Sequence, residues 1–138
     1  MVQLDHLVLA VNDRQRSIAF YSDVLGLRYE GERAPFSVLR ITPDLVLQLG
    51  PWGTRGGEHL AFSMTRSEFD DVLQRIRDGG IEYGDAFDSI GNMRAPGEAD
   101  GAHGTGRAVY CHDPNRHLIE IRHYASWGQR GAEGDLSR

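Results

Sequence analysis

The chain has 138 residues, enough for one domain with a real core and short for two independent ones. Its formal charge of −5 at pH 7, with no basic run anywhere, excludes a nucleic-acid footprint and leaves small molecules or other proteins as partners. No stretch has the length of a membrane span, the first residues show no leader pattern and Cys111 is the sole cysteine, so a cytoplasmic protein without an intrachain disulfide is expected.

Residues 3–11, QLDHLVLAV, are aliphatic with polar residues intruding at alternate places, the pattern of a strand. Asn12 or Asp13 then offers a helix N-cap, with Gln15 able to complete a capping box from Asn12. Ile18, Tyr21, Val24 and Leu25 recur at helical spacing, and Gly26 stops the run. Strands are expected over 27–31, 36–41 and 45–49, separated by Pro35 and the Pro43-Asp44 turn.

The order then repeats. GEHLAFSM reads as a strand, Ser67 as an N-cap with Asp70 at its N3 position, and Phe69, Val72, Leu73 and Ile76 as the apolar stripe of a second helix ended by Gly79-Gly80. A strand over 81–83 leads into a polar, glycine-rich segment, 84–106, whose length suits a lid or a floppy insertion; as a lid it would bring Met93, Arg94 and His103 to the site. The runs over 106–112 and 117–124 follow as strands, with Cys111 read as a small buried hydrophobe. Because DHLVLAV echoes EHLAFSM and LVLQLG echoes HLIEIR, the chain reads as a duplicated βαβββ unit, an α+β fold. A single domain is expected over 1–124, with module one at 1–52, module two at 57–124, and a polar, flexible tail at 125–138 in which Trp127 can dock.

Strand side chains alternate between faces, so parity sorts the polar residues. Leu7, Leu9 and Val11 share the row assigned to the helices, and His6 lies opposite. Leu60, Phe62 and Met64 do the same with His59 opposite, as do Leu45, Leu47 and Leu49 with Gln48 opposite, and Ile119 and Ile121 with Glu120 opposite. Glu120 is the key residue, because a carboxylate on a strand that reads as core must be paired, hydrogen-bonded or metal-bound. The duplication makes His6 equivalent to His59 and Gln48 equivalent to Glu120. Two imidazoles and a carboxylate suit Fe(II), Mn, Co, Ni or Zn with open positions for substrate. Gln48 ligates, holds a bound water or does neither, and the bland alternative for His6 and His59 is a pair of core histidines bonded to backbone.

Through LDHLVLAV, SIAFYSDVLGL, EHLAFSM and YCHDPNRHLIEI the chain resembles the vicinal oxygen chelate superfamily, which holds glyoxalase I, extradiol dioxygenases, fosfomycin-resistance thiol transferases, methylmalonyl-CoA epimerase and metal-free bleomycin-binding proteins. The resemblance implies two tandem βαβββ modules forming an open cup-like barrel around a divalent metal, and a homodimer. It implies His6, His59 and Glu120 as metal ligands and Gln48 at a variable fourth position. Tyr110 matches the active-site tyrosine of extradiol dioxygenases and His103 loosely matches a histidine of theirs, while the residue matching their other catalytic histidine is absent. FSVLRI carries no carboxylate where the epimerases have their base, and Gln48 stands where glyoxalase I usually has glutamate. Arg40 and Arg122 are expected on the cup face, to bind an anionic substrate group or to neutralise Glu120. His112, His117 and His123 are read as surface or supporting groups, and Arg116 stands where the family's final turn usually has glycine.

The function expected is a metal-dependent enzyme acting on a small oxygen-bearing substrate, with extradiol-dioxygenase-like chemistry ahead of glyoxalase- or epimerase-type isomerase and lyase chemistry. The competing class is a metal-free drug- or metabolite-binding protein.

Overall fold

A computed structural model describes residues 1–125; most of the expected tail, with Trp127, lies outside the described residues. Two compact units divide the chain, Met1–Gly56 with Asp113–Arg116, and Gly57–His112 with the residues from His117 on. The four-residue turn joins the first unit through buried and part-buried polar bonds. Tyr21 Oη donates to Asp113 Oδ2 at 2.7 Å, the Asn12 amide to Asn115 Oδ1 at 2.7 Å, and Asn115 Nδ2 to Ser17 Oγ at 3.1 Å.

In the first unit, strand His6–Ala10 (β1) leads to helix Arg14–Ala19 (α1), which continues as a π-helical turn over Phe20–Val24. Asp13 is the cap, its Oδ1 accepting the Arg16 amide at 3.1 Å. Asn12 does not cap: its Oδ1 accepts the Thr54 amide at 2.8 Å. The wider π turn places the adjacent Phe20 and Tyr21 both inside, whereas the helical spacing predicted a stripe with Ile18 and Val24. Strands Arg28–Arg33 (β2), Phe36–Thr42 (β3) and Leu45–Gly50 (β4) complete a sheet of order β1-β4-β3-β2, with β1 and β4 parallel. Leu9, Val11, Leu39, Leu47 and Leu49 are buried, at about 1.5–3 kcal/mol per side chain.

In the second unit, His59–Ser63 (β5) is followed by helix Arg66–Asp78 (α2), then Tyr83–Gly84 (β6), Gly97–Gly101 (β7), Gly104–His112 (β8) and Leu118–His123 (β9). The sheet order is β5-β9-β8-β6, β5 and β9 are parallel, and β7 pairs with β8. The N-cap of α2 is Thr65 and not Ser67. Its Oγ1 accepts the Glu68 amide at 3.1 Å while Glu68 Oε1 accepts the Thr65 amide at 2.9 Å, a reciprocal box. Phe69, Val72, Leu73 and Ile76 bury the expected stripe. The segment 84–106 is not one structureless loop, because β7 and the first half of β8 form a hairpin within it. His117 and His123 are buried and not on the surface, and Cys111 is buried as expected. His117 Nδ1 accepts the Glu58 amide at 3.2 Å.

Each sheet repeats one relation. In the first, Val8 pairs with Gln48 and His6 with Val46, so His6 and Gln48 lie diagonally on one face, shared by Arg40 opposite Val46. In the second, Ala61 pairs with Glu120 and His59 with Leu118, so His59 and Glu120 stand in the same diagonal relation. Among the described residues no helix is long and apolar enough to cross a membrane.

Candidate functional site

The sheet face away from α2 carries the polar cluster of the second unit. His59, Ala61 and Ser63 on β5 share it with Glu120 and Arg122 on β9, and Tyr110 on β8 joins it because it pairs directly with Glu120. His59 Nε2 lies 3.0 Å from Glu120 Oε1. The two differ sharply in access: the His59 side chain is 50% exposed and that of Glu120 only 6%. The imidazole is therefore open to solvent while the carboxylate behind it is shielded.

Burial of Glu120 is compensated on its other oxygen. Arg122 Nη1 donates to Glu120 Oε2, Nη2 donates to the Ala99 carbonyl at 2.7 Å, and Nη1 makes a longer contact of 3.5 Å with the Asp100 carbonyl. The guanidinium sits over the Tyr124 ring at 4.8 Å. Removing one partner of such a pair would strand a buried charge, so Arg122 is the reason the core strand tolerates a carboxylate. Burial first, then the charge of Glu120, push the Tyr110 phenol above its ordinary value of 10.0; the charge of Arg122 opposes this and a hydroxyl hydrogen bond to Glu120 adds to it. Tyr110 therefore keeps its proton at neutral pH beside the carboxylate.

A cavity of about 260 Å³ opens against this cluster, walled by Ser63, Asp100, His103, Glu120, Arg122 and Tyr124 among others. His103 enters the wall from the β7–β8 turn, with its amide 3.4 Å from Tyr124 Oη and its ring edge-on to that tyrosine at 5.5 Å. Met93 and Arg94 are not in the wall; both are exposed, and the Arg94 amide donates to Asn92 Oδ1 at 2.9 Å.

In the first unit His6 is exposed, its Nδ1 2.7 Å from Asp5 Oδ2, and Gln48 is half-buried. Arg40 is held by Glu30 through bonds of 3.0 and 3.2 Å and donates to the Pro43 carbonyl at 3.0 Å. Hydrogen bonds from Arg40 and then Arg28 lower the Glu30 carboxyl to about 2, so the expected anion partner of Arg40 is already supplied by the chain. Strand parity places Ser63 on the face of His59 but gives it no role; sequence reasoning missed Glu30, Asp100 and Tyr124, which nothing local marks.

Among the described residues no group of three or more His, Cys, Asp or Glu gathers as a metal site. The second unit instead supplies a pair, one imidazole nitrogen and one carboxylate oxygen at bonding separation, a donor set that fits a borderline divalent ion.

The sequence pattern of the Glyoxalase/Bleomycin resistance protein/Dioxygenase superfamily matches residues 3–121. The chain belongs to that superfamily. Among its relatives there, Virulence protein STM3117 of Salmonella typhimurium is 30% identical over 131 residues, covering 88% of this chain and 84% of its own length. Its crystal structure aligns with a TM-score of 0.70 at 29% identity, over 91% of this chain and 98% of that one. Glutathione transferase FosA of Serratia marcescens is 25% identical over 125 residues, 86% of this chain and 78% of its own. The structure of Oxidase ChaP-H1 aligns with a TM-score of 0.75 at 29% identity, over 93% of this chain and 100% of that one. The duplicated βαβββ architecture is thus that of the glyoxalase superfamily.

Proposed function

We propose that this superfamily member is a divalent-metal-dependent enzyme that binds a small oxygen-bearing substrate beside His59, Glu120 and Tyr110. The observation that carries the reading is the 3.0 Å approach of His59 Nε2 to Glu120 Oε1 on one sheet face. In the repeat His6 is the counterpart of His59 and Gln48 that of Glu120, and within the first unit they stand in the same diagonal relation. The ion is one of Fe(II), Mn, Co, Ni or Zn, and the working protein is a homodimer. When bound, such an ion supplies Lewis-acid polarisation of the substrate oxygens. The chain's own contribution is orientation and proton control. Tyr110, a protonated phenol at neutral pH, would turn its hydroxyl from Glu120 to donate a hydrogen bond to a developing oxyanion. His103 and Ser63 line the adjoining cavity, which shares Glu120 with the cluster and leaves His59 and Tyr110 outside its wall.

Oxygenase-type chemistry is the first assignment, supported by Tyr110 and by the likeness to a protein named an oxidase over its full length. Thiol transfer is the second, supported by the likeness to a protein named a glutathione transferase. The test is an oxygen-uptake screen with catechols and related dihydroxyaromatics on Fe(II)-loaded protein, run beside a glutathione-consumption assay with ketoaldehydes and epoxides. Oxygen uptake that disappears in Glu120→Ala is the expected result. Thiol consumption without oxygen uptake overturns the first assignment in favour of the second. Tight ligand binding without turnover or metal overturns both in favour of a sequestering protein.

A further inference from the structure

We infer that Arg122 is a positioning residue that fixes how Glu120 presents itself to a metal: the guanidinium holds Oε2, so the carboxylate offers the single oxygen Oε1 on the side of His59. The inference rests on the metal-dependent reading above and adds to it a reason for the buried arginine.

Neutralising Glu120 would need only a nearby cation; the surroundings of Arg122 do more than that. The side chain is 4% exposed. One face of the guanidinium lies on Tyr124, and one edge is tied to the β7 carbonyls of Ala99 and Asp100. Two glycines leave the room it occupies. A Cβ at Gly101 would stand 2.5 Å from Arg122 Cζ, 2.7 Å from Nη2 and 2.3 Å from Tyr124 Oη, and one at Gly106 would stand 3.0 Å from Nη2 and 2.7 Å from the His123 carbonyl. Arg122 Nε is buried with no hydrogen-bond partner, so the group is oriented by Glu120 and the strand carbonyls at the expense of its own full satisfaction. A free carboxylate can turn and chelate through both oxygens; one held at Oε2 by a guanidinium is biased towards offering Oε1 alone. Because the clamp is anchored on β7, the hairpin that brings His103 to the cavity also sets the ligand's orientation.

The experiment is titration of the full chain with Co(II), read by affinity and by the visible ligand-field spectrum, which reports coordination geometry independently of any activity. Arg122→Met should bind Co(II) roughly 10- to 100-fold more weakly, with altered band intensities. Gly101→Ala keeps the charge and displaces the guanidinium, and should alter the spectrum in the same way. Arg122→Lys, which restores charge without the fork, should not recover the native spectrum. If Arg122→Met does not fold, as judged by circular dichroism, Gly101→Ala decides. Native affinity and spectrum in both variants would overturn the inference, as would tighter binding in Arg122→Met, which would make the arginine a mere competing cation. A native chain that takes up no Co(II) overturns the metal reading itself, a result distinct from uptake that is indifferent to Arg122.

Discussion

Tyr110 faces Glu120 directly across the β8–β9 ladder, and burial, reinforced by the carboxylate, holds the phenol in its protonated form. Because the folded-state value lies above the ordinary 10.0, this group's contribution to stability is complete below pH 10 and declines as pH rises through the higher folded value. Replacing Tyr110 with Phe should therefore leave metal uptake intact and cost about 1 kcal/mol or less in stability. It should lower kcat/KM by roughly 10²- to 10⁴-fold, the range for loss of a proton-handling group. Ultraviolet titration of phenolate absorbance should show that the tyrosine missing from the variant is one that ionises late.

His123 behaves oppositely. It is buried against Phe69, edge-on at 4.8 Å, and its Nδ1 has no hydrogen-bond partner. Burial first, then the charge of Arg66, opposed by Asp70, and then Arg107 lower its value below 6.5. The neutral ring is the native form, so the stability it contributes is present above pH 6.5 and lost as pH falls through the folded value. His123→Phe keeps the aromatic contact and removes the titration. The difference in melting temperature between pH 7 and pH 5 should shrink in this variant, and stability at pH 7 should be equal or higher because an unpaired buried nitrogen is gone.

Arg116 adopts φ 69° in the turn after Asp113, whose Oδ1 accepts the Asn115 amide at 2.8 Å. The left-handed region costs a residue with a Cβ about 1–2 kcal/mol, and a β-branched side chain at least as much. Chemical denaturation should rank Arg116→Gly above Arg116→Val by about 1–2 kcal/mol, with Arg116→Gly no less stable than the native chain.

Strand parity was the most legible signal in the chain. It put His59 and Glu120 on one face and His6 and Gln48 on another, and the registers carry both relations because side chains alternate strictly along a strand. The T-x-x-E signature at Thr65 was equally legible, yet Ser67 with Asp70 mimics it two residues later; the longer Glu68 side chain reaches back to the cap amide. β7 was hidden because Gly97 and Gly101 bound it and no aliphatic alternation marks it. It forms by pairing with β8, a non-local cause. The clamp on Glu120 was half-visible: Arg122 shares its face by parity, but the Ala99 carbonyl and the Tyr124 ring that hold the guanidinium arrive from tertiary contacts.

A metal held through His59 and Glu120 is tested most directly by metal analysis of chain purified without chelator, beside His59→Ala and Glu120→Ala. The expected result is a stoichiometric divalent ion in the native protein and its loss from both variants, with the fold retained by circular dichroism. A native chain that carries none and takes up none of Fe(II), Mn, Co, Ni or Zn, or variants that keep the ion, would contradict it.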